Sequence, residues 1–122
     1  MIRKIERAEL QRFKSEAEKS GLVFCESAVL YGYFLNNELV AFSGMILYKN
    51  KAVFKNSFVT EIHRGNGYFK KLFNYRMGIV KSLGIKKVEA TCTDMSINHY
   101  IKNNFKVVKV FKKFKKVSNE NL

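Results

Sequence analysis

Several residue types that shape other classes of protein are rare or missing in this sequence. There is no proline and no tryptophan, and only ten acidic residues stand against 23 lysines and arginines. No apolar run is long enough for a membrane-spanning helix, and the N-terminus lacks the apolar segment of a secretory signal. We therefore expect a cytoplasmic protein that does not cross a membrane.

Cysteine and histidine are also scarce. The two cysteines, Cys25 and Cys92, are too few for a disulfide framework. Together with His63 and His99 they show no metal-ligand spacing, so we expect no metal site. Cys92 alternates onto the apolar face of a predicted strand, which favours an inert buried thiol over a nucleophile.

What the sequence does contain fits one small globular domain. Its 122 residues are 47% hydrophobic and 27% charged, a balance typical of a folded chain. We expect a single domain over residues 1–122. Within it we expect an N-terminal helical region at 1–26, a core at 28–117 and a tail at 118–122.

Positive charge is concentrated in the second half of the chain. The formal net charge of the chain is +13, and residues 49–116 contain 17 basic side chains and three acidic ones. Such a field attracts nucleic acid, a phosphorylated small molecule or an acidic protein face. The lysine content also fits the codon usage of an AT-rich genome, and lysines on the last predicted strand would protect a sheet edge from aggregation.

Hydrophobic periodicity predicts a helix, a three-strand meander, a second helix, a strand, a short helix and a final strand. These lie at residues 6–20, 28–35, 38–48, 52–61, 67–83, 86–93, 96–103 and 105–117. Short turns join the meander strands, which indicates antiparallel pairing, and the strand-helix-strand passage indicates a parallel pair. The fold class is therefore α+β, with a mixed, mostly antiparallel sheet flanked by helices.

The segment that carries chemistry lies where the third strand passes into the second helix. Gly65 and Gly67 allow a tight turn and a close approach of an anion to the backbone. The first N–H groups of the helix have no internal partner, and Arg64, Lys70 and Lys71 add positive charge. This arrangement predicts a phosphate or diphosphate site, although neither the Walker loop nor the dinucleotide fingerprint is present.

The segment Arg64-Gly65-Asn66-Gly67-Tyr68-Phe69 resembles motif A of the GNAT superfamily of acyl-CoA-dependent N-acyltransferases. That motif reads Arg/Gln-x-x-Gly-x-Gly/Ala and opens a helix after a strand. Arg64 and Gly67 match it, whereas Phe69 stands where the family has a small residue.

A second match lies downstream, in the short helix. The family pattern there is Asn-x-x-Ala-x-x-x-Tyr-x-x-x-Gly-Phe. Tyr100 and Phe105 match it, Thr93 and Ser96 occupy the Asn and Ala positions, and Asn104 replaces the glycine. Asparagine also tolerates a left-handed backbone. The resemblance covers about residues 28–117, including the order of strands and helices.

The resemblance implies a GNAT-like domain that uses acetyl-CoA as co-substrate. The diphosphate would bind the motif A turn, and the pantetheine arm would pair with the strand before it, at Phe58–Glu61. The cofactor-binding residues implied are Phe58, Val59, Thr60, Arg64, Gly65, Asn66, Gly67, Tyr68, Phe69, Lys70 and Ser96.

The resemblance also implies direct attack of an amine on the thioester. Such a reaction needs an oxyanion donor, a proton for the departing thiolate and a neutral amine. The resemblance gives the first role to a backbone N–H near Val59 and the second to Tyr100. We expect Glu61 to act as the general base, with His63, Glu89 and Asp94 as alternatives.

The acceptor stays open. The N-terminal region has one helix where the family commonly has two, and this leaves an open cleft that suits a bulky substrate. With the basic tail, this points to a nucleic acid or nucleotide-linked amine, as in phage-encoded GNAT-like proteins that modify DNA bases. A protein lysine, a small amine, or a non-catalytic nucleic-acid-binding protein on the same fold are the alternatives, as a monomer or a homodimer.

Overall fold

A seven-stranded sheet forms the frame of the computed structural model, which describes residues 1–19, 27–94 and 96–122. The strands are β1 (Ile2–Ile5), β2 (Val29–Leu35), β3 (Glu38–Leu47), β4 (Ala52–Val59), β5 (Val88–Cys92), β6 (Lys106–Val110) and β7 (Lys115–Asn119). The helices are α1 (Lys14–Lys19), α2 (Tyr68–Ser82) and α3 (Ile97–Lys102), with 3-10 helices at Arg7–Phe13 and Glu61–His63.

The spatial order of the strands is β1-β2-β3-β4-β5-β7-β6. Every neighbouring pair is antiparallel except β4 and β5, which α2 connects. A helix crossover returns the chain to the same end of the sheet, so the strand that follows runs parallel to the one before it. The predicted α+β class and the mixed, mostly antiparallel sheet are confirmed.

The final predicted strand at 105–117 is wrong, because the structure has two strands there. The chain turns at residues 111–114, where the Phe111 N–H donates to the Phe114 carbonyl at 2.8 Å. This turn contains no glycine, proline or asparagine, so no sequence signal marked it. β7 then continues through Ser118 and Asn119, the first two residues of the predicted tail, and both are buried because β7 lies between β5 and β6.

The N-terminal segment also differs from its prediction. β1 has no counterpart among the predicted strands, because its two central residues, Arg3 and Lys4, are exposed and give no alternating apolar pattern. The predicted helix starts as a 3-10 helix and becomes α-helical at Lys14. Its predicted apolar face at Leu10, Phe13 and Ala17 is buried. The predicted helix end near Gly21, and Cys25, lie outside the described residues.

The sheet buries apolar side chains on both faces. Phe42 and Met45 lie three residues apart on β3, so they point to opposite sides of the sheet. Phe42 belongs to a cluster with the N-terminal helical segment, whereas Met45 belongs to a larger cluster with α2 and α3. In the larger cluster Phe73 of α2 contacts the rings of Tyr100 and Phe105 at centroid distances of 5.6 and 5.9 Å.

A buried carboxylate on β5 forms ion pairs with lysines from both neighbouring strands or their flanks. Glu89 on β5 has only 6% of its side chain exposed. Its oxygens lie 2.6 Å from Lys116 Nζ on β7 and 2.8 Å from Lys51 Nζ, next to β4. Hydrogen bonds from Lys116 and Lys51 lower the pKa of Glu89 from its ordinary value of 4.5 to about 2. The ion pairs therefore stabilise the fold only while Glu89 is ionised.

We expect Glu89→Gln to lower the free energy of unfolding by about 1–3 kcal/mol at pH 7, because the two lysines lose a buried charge partner. The folded-state pKa is depressed, so this stabilisation is present above the unfolded pKa and disappears as the pH falls from about 4.5 to 2. Urea unfolding at a series of pH values measures it.

The matched control is Glu120→Gln. Glu120 pairs with Lys87 at 3.2 Å, but 65% of its side chain is exposed, so its removal should cost less than about 1 kcal/mol. Equal losses for the two variants at pH 7 would show that the Glu89 ion pairs contribute nothing beyond surface charge.

Candidate active site

A cleft opens where β4 and β5 separate. The two strands pair only at Ala52–Val88, Val53–Glu89 and Phe54–Ala90. Just beyond Phe54 a bulge places one extra residue in β4 against β3, between the pairs Gly44–Lys55 and Phe42–Phe58. Bulges bend the strand that carries them, which turns β4 away from β5. The resulting cavity has a volume of about 740 Å³, which is within the usual range for small-molecule sites.

The end of β4 presents its backbone to this cleft. The Thr60 N–H donates to the Val40 carbonyl at 3.1 Å, so these two residues form a hydrogen-bonded pair between β3 and β4. Paired residues alternate in an antiparallel ladder, so the next pair, Ala41 and Val59, is not hydrogen-bonded. The N–H and C=O of Val59 consequently point away from β3, towards the side where β5 has left.

The glycine turn forms one end of the cleft. Gly65 and Gly67 have φ values of +80° and +82°, in the left-handed region that favours glycine. Apart from each glycine and its two chain neighbours, no described heavy atom lies within 4 Å of the position that a Cβ would take on either residue. α2 begins directly after Gly67 and has no acidic residue in its first turn, which instead contains Lys70. Free backbone N–H groups and positive charge therefore meet at this helix end, as an anion site requires.

Three short hydrogen bonds hold the segment before the turn. The Arg64 Nε–H donates to the Val59 carbonyl at 3.0 Å, and the Asn66 amide donates to the His63 carbonyl at 3.0 Å. Thr60 Oγ1 lies 2.6 Å from His63 Nδ1. Thr60 and Asn66 are not among the cleft-lining residues, so their contribution is to fix the loop.

The other nine predicted cofactor-binding residues line the cleft: Phe58, Val59, Arg64, Gly65, Gly67, Tyr68, Phe69, Lys70 and Ser96. Phe69, which replaces a small family residue, is half-buried. Its ring packs edge-on against His99 at 5.0 Å and Tyr100 at 6.2 Å. A bulky side chain therefore fits at this position because α3 supplies aromatic partners for it.

Tyr100 of α3 lies at the inner wall of the cleft and is 3% exposed. Asn104, in the glycine position of the family pattern, has φ +70° and ends the helix. Burial raises the pKa of the Tyr100 hydroxyl, and the positive charge of Arg76 opposes that rise. Tyr100 is therefore a neutral phenol at pH 7, which is the form that can donate a proton.

Arg76 is a residue that the sequence interpretation missed. Its side chain is fully buried on α2, donates to the Gly44 carbonyl at 3.0 Å and to Ser57 Oγ at 3.2 Å, and lies over the Phe54 ring. Its Nε has no hydrogen-bond partner among the described residues. A signal was present, since position 76 shares the apolar stripe of α2 with Leu72 and Val80 at i±4 spacing.

The four base candidates lie in different environments. Glu61 is exposed, its backbone N–H donates to Glu16 Oε1 at 3.0 Å, and it is not among the cleft-lining residues. Glu89 is held in its ion pairs and also lies outside the cleft. His63 and Asp94 line the cleft, and Asp94 is exposed and lies 3.4 Å from Lys115 Nζ.

The cleft also contains residues with no predicted role. Lys55 and Lys113 add positive charge to its lining, and the His99 ring packs edge-on against Phe73 at a centroid distance of 4.4 Å. Burial, followed by the charges of nearby lysines and Arg76, lowers the pKa of His99, so it is neutral at pH 7. Cys92 is buried there as a free thiol, and burial raises its pKa.

The described residues, 1–19, 27–94 and 96–122, offer neither a metal-binding cluster nor a membrane-spanning helix. They contain no group of three or more His, Cys, Asp or Glu side chains able to hold a metal ion. They also contain no helix long and apolar enough to cross a membrane.

The comparisons with known proteins are informative only at the level of structure. No family model matches the sequence, and no curated protein matches it. Among solved structures, Ard1 from Thermoplasma volcanium superposes with a TM-score of 0.81 and 16% identity, covering 100% of this chain and 97% of that one. A GNAT family acetyltransferase from Elizabethkingia anophelis with acetyl-CoA bound superposes with a TM-score of 0.72 and 14% identity, covering 98% and 97%. The chain has the GNAT fold.

An aminoglycoside 6′-N-acetyltransferase in complex with coenzyme A has the same GNAT fold, with a TM-score of 0.79 and 14% identity over 98% of this chain and 96% of that one. In all three comparisons this chain spans nearly the whole length of its structural neighbour. The superpositions establish the GNAT fold, whereas identities this low do not carry the activity of those proteins over to this chain.

The backbone conformations of Gly67 and Gly78 predict opposite effects on stability when each is replaced by alanine. We expect Gly67→Ala to destabilise the fold by about 1–2 kcal/mol, because a residue with a Cβ is strained at φ +82°. Gly78→Ala, in the middle of α2 with open space around its Cβ position, should stabilise the fold by about 0.5–1 kcal/mol. Chemical denaturation of both variants measures the difference, and a stabilising Gly67→Ala would contradict the left-handed turn.

Proposed function

We propose that this protein is an acetyl-CoA-dependent N-acetyltransferase, in which an amine attacks the thioester directly. The observation that carries the proposal is the cleft between β4 and β5, which has strand backbone on one wall and the glycine turn at one end. An elongated ligand with a diphosphate at one end and amide groups along its length fits both features.

The residues present suit each part of acetyl-CoA. The diphosphate would bind the backbone N–H groups that follow Gly67, with Arg64 and Lys70 supplying charge. The pantetheine arm would lie along the end of β4, where the Val59 N–H and C=O face the cleft and the C=O also accepts from Arg64 Nε, while the backbone of the neighbouring Phe58 is paired with Phe42 of β3. Tyr68, Phe69 and Ser96 would form the surrounding wall, while Thr60 and Asn66 hold the turn.

The chemical step follows from the same placement. The amine nitrogen attacks the thioester carbon, a C–N bond forms and the C–S bond breaks. The Val59 N–H points to the side where the carbonyl oxygen would develop negative charge. Tyr100 is the candidate general acid for the departing thiolate, because it is neutral and lies at the cleft wall.

The geometry favours His63 over Glu61 as the group that removes a proton from the amine. His63 lines the cleft, and its contact with Thr60 Oγ1 orients the ring. Glu61 is exposed and is not among the cleft-lining residues. An exocyclic amine of a nucleobase is already neutral and would need little help from either residue.

The charge of the cleft bears on the acceptor. Among the described residues that line it, four are cationic and Asp94 alone is anionic. The cationic ones are Lys55, Arg64, Lys70 and Lys113. A polycationic amine would be repelled, whereas an amine carried by a phosphate-bearing molecule would be attracted. A nucleic acid or nucleotide-linked amine therefore fits better than a protein lysine or a small cationic amine.

We expect acetyl-CoA to bind the protein and Tyr100→Phe to lower turnover at least tenfold with little change in that binding, because only the proton donor is lost. At 100 times its dissociation constant, acetyl-CoA should stabilise the fold by about 2.7 kcal/mol. Thermal shift measures binding, and release of the CoA thiol with pooled amine, protein and nucleic-acid acceptors measures turnover.

Tyr75→Phe is the matched control, because Tyr75 packs against Tyr31 and is not among the cleft-lining residues. It should keep both binding and turnover. Failure of acetyl-CoA to shift the melting temperature would reject the enzyme and leave a non-catalytic nucleic-acid-binding protein as the remaining function. Unchanged turnover in Tyr100→Phe would remove Tyr100 from the mechanism.

For the base, we expect His63→Asn to lower turnover more than Glu61→Gln, because His63 lines the cleft and Glu61 does not. Steady-state rates of the two variants, measured with the acceptor pool that supports release of the CoA thiol in the parent protein, decide between them. A larger loss in Glu61→Gln would restore Glu61 as the base.

A further inference from the structure

β6, one of the two edge strands of the sheet, is exposed to solvent on both faces among the described residues. All five residues of β6 are exposed, and its valines include Val110 at 67% exposure. Among the strands that the structure describes, β6 pairs with β7 alone, so its other edge has no strand partner there. Edge strands are normally covered by other elements or kept short, and an edge strand that exposes apolar side chains usually marks a contact surface. We call Lys106–Phe114 the hairpin surface.

The lysines of the hairpin surface have no acidic partner. Lys106, Lys109, Lys112 and Lys113 form no ion pair within the described part of the chain. The lysines that follow on β7 are different, because Lys115 pairs with Asp94 and Lys116 with Glu89. The four unpaired charges therefore remain available to an external anion.

Two aromatic rings lie among these charges. Phe111 and Phe114 are exposed at the turn, with ring centroids 4.7 Å apart and an interplanar angle of 35°. The Phe111 N–H to Phe114 carbonyl hydrogen bond fixes the turn that presents them. Lys109 Nζ lies 5.0 Å from the Phe111 ring centroid. Aromatic faces interleaved with lysines are the combination that binds single-stranded nucleic acid.

Charge decides between the occupants of this surface. A second copy of the chain would place unpaired lysines against unpaired lysines, which is unfavourable. A duplex offers phosphates but hides the faces of its bases, so the phenylalanines would find nothing to stack on. A single strand supplies both phosphates for the lysines and base faces for the rings.

The surface is continuous with the cleft. Lys113, in the turn of the hairpin, is also one of the residues that line the cleft between β4 and β5. We propose that the hairpin surface binds single-stranded nucleic acid through Phe111, Phe114 and the four unpaired lysines, and directs it towards this cleft. Binding itself is independent of acetyl transfer, whereas its use to deliver an acceptor rests on the proposed function.

The test is fluorescence anisotropy with a labelled oligothymidine of about 12 nucleotides and a matched duplex, over a range of salt concentrations and without acetyl-CoA. Four phosphate contacts predict a log–log salt slope near −3 for the single strand. Phe111→Ala and Phe114→Ala should each weaken binding about 5- to 150-fold with little change in slope. Lys109→Gln with Lys112→Gln should make the slope shallower by about 1.4.

The matched control is Lys4→Gln with Lys14→Gln, which removes the same charge outside the hairpin surface: Lys4 is exposed on β1, the edge strand opposite β6, and Lys14 is exposed at the start of α1. It should keep the salt slope of the parent protein. Urea unfolding checks that the exposed phenylalanine variants keep the fold. Binding that ignores the phenylalanines, a duplex that binds as tightly, or a polyglutamate that competes equally would each overturn the proposal.

The two proposals fail separately. Tyr100→Phe should bind the oligonucleotide as the parent protein does, because Tyr100 is buried in the cleft wall. If the parent protein does not bind the oligonucleotide, the hairpin proposal fails, and acetyl-CoA binding is unaffected by that result. Loss of acetyl-CoA binding would leave the hairpin surface as a nucleic-acid site without an attached reaction.

Discussion

The short pairing between β4 and β5 is the constraint on which the rest of the site depends. Backbone hydrogen bonds must be satisfied, and two parallel strands normally satisfy them along their whole length. Here three residue pairs join the strands, and a bulge in β4 then bends it away. The separation leaves strand backbone unpaired inside a cleft, where a ligand with amide groups can complete the ladder. It also brings the start of α2 to the end of that cleft.

An aromatic cluster packs beneath the cleft and holds α2 and α3 together. Phe73 lies at its centre, against Tyr100, Phe105 and His99. These contacts fix α3 against α2, so Tyr100 reaches the cleft wall from a rigid position. The buried guanidinium of Arg76, held by Gly44 and Ser57, ties α2 to β3 and β4. The positive charge of Arg76 therefore acts on the candidate proton donor, Tyr100, from the buried side of the cleft wall.

Elements with a strong local period were predictable from the sequence, and elements without one were not. α2, β3 and β5 lie close to their predicted bounds because their apolar residues repeat at helix or strand spacing. The β6–β7 hairpin was predicted as one strand, because its turn is closed by Phe111 and Phe114 packing against each other. β1 was missed because its pairing with β2, and not its own residues, makes it a strand.

The sequence by itself determined the α+β class, the glycine turn before a helix and the placement of Tyr100 in a late helix. All three depend on residues close together in the chain. Only the tertiary structure decided that Glu61 lies outside the cleft while His63 lines it, that Arg76 is buried on α2 where its charge acts on Tyr100, and that Lys113 of the hairpin is among the cleft-lining residues. These facts depend on how β4, β5 and the β6–β7 hairpin approach one another in space, and such distances between remote segments have no local signature.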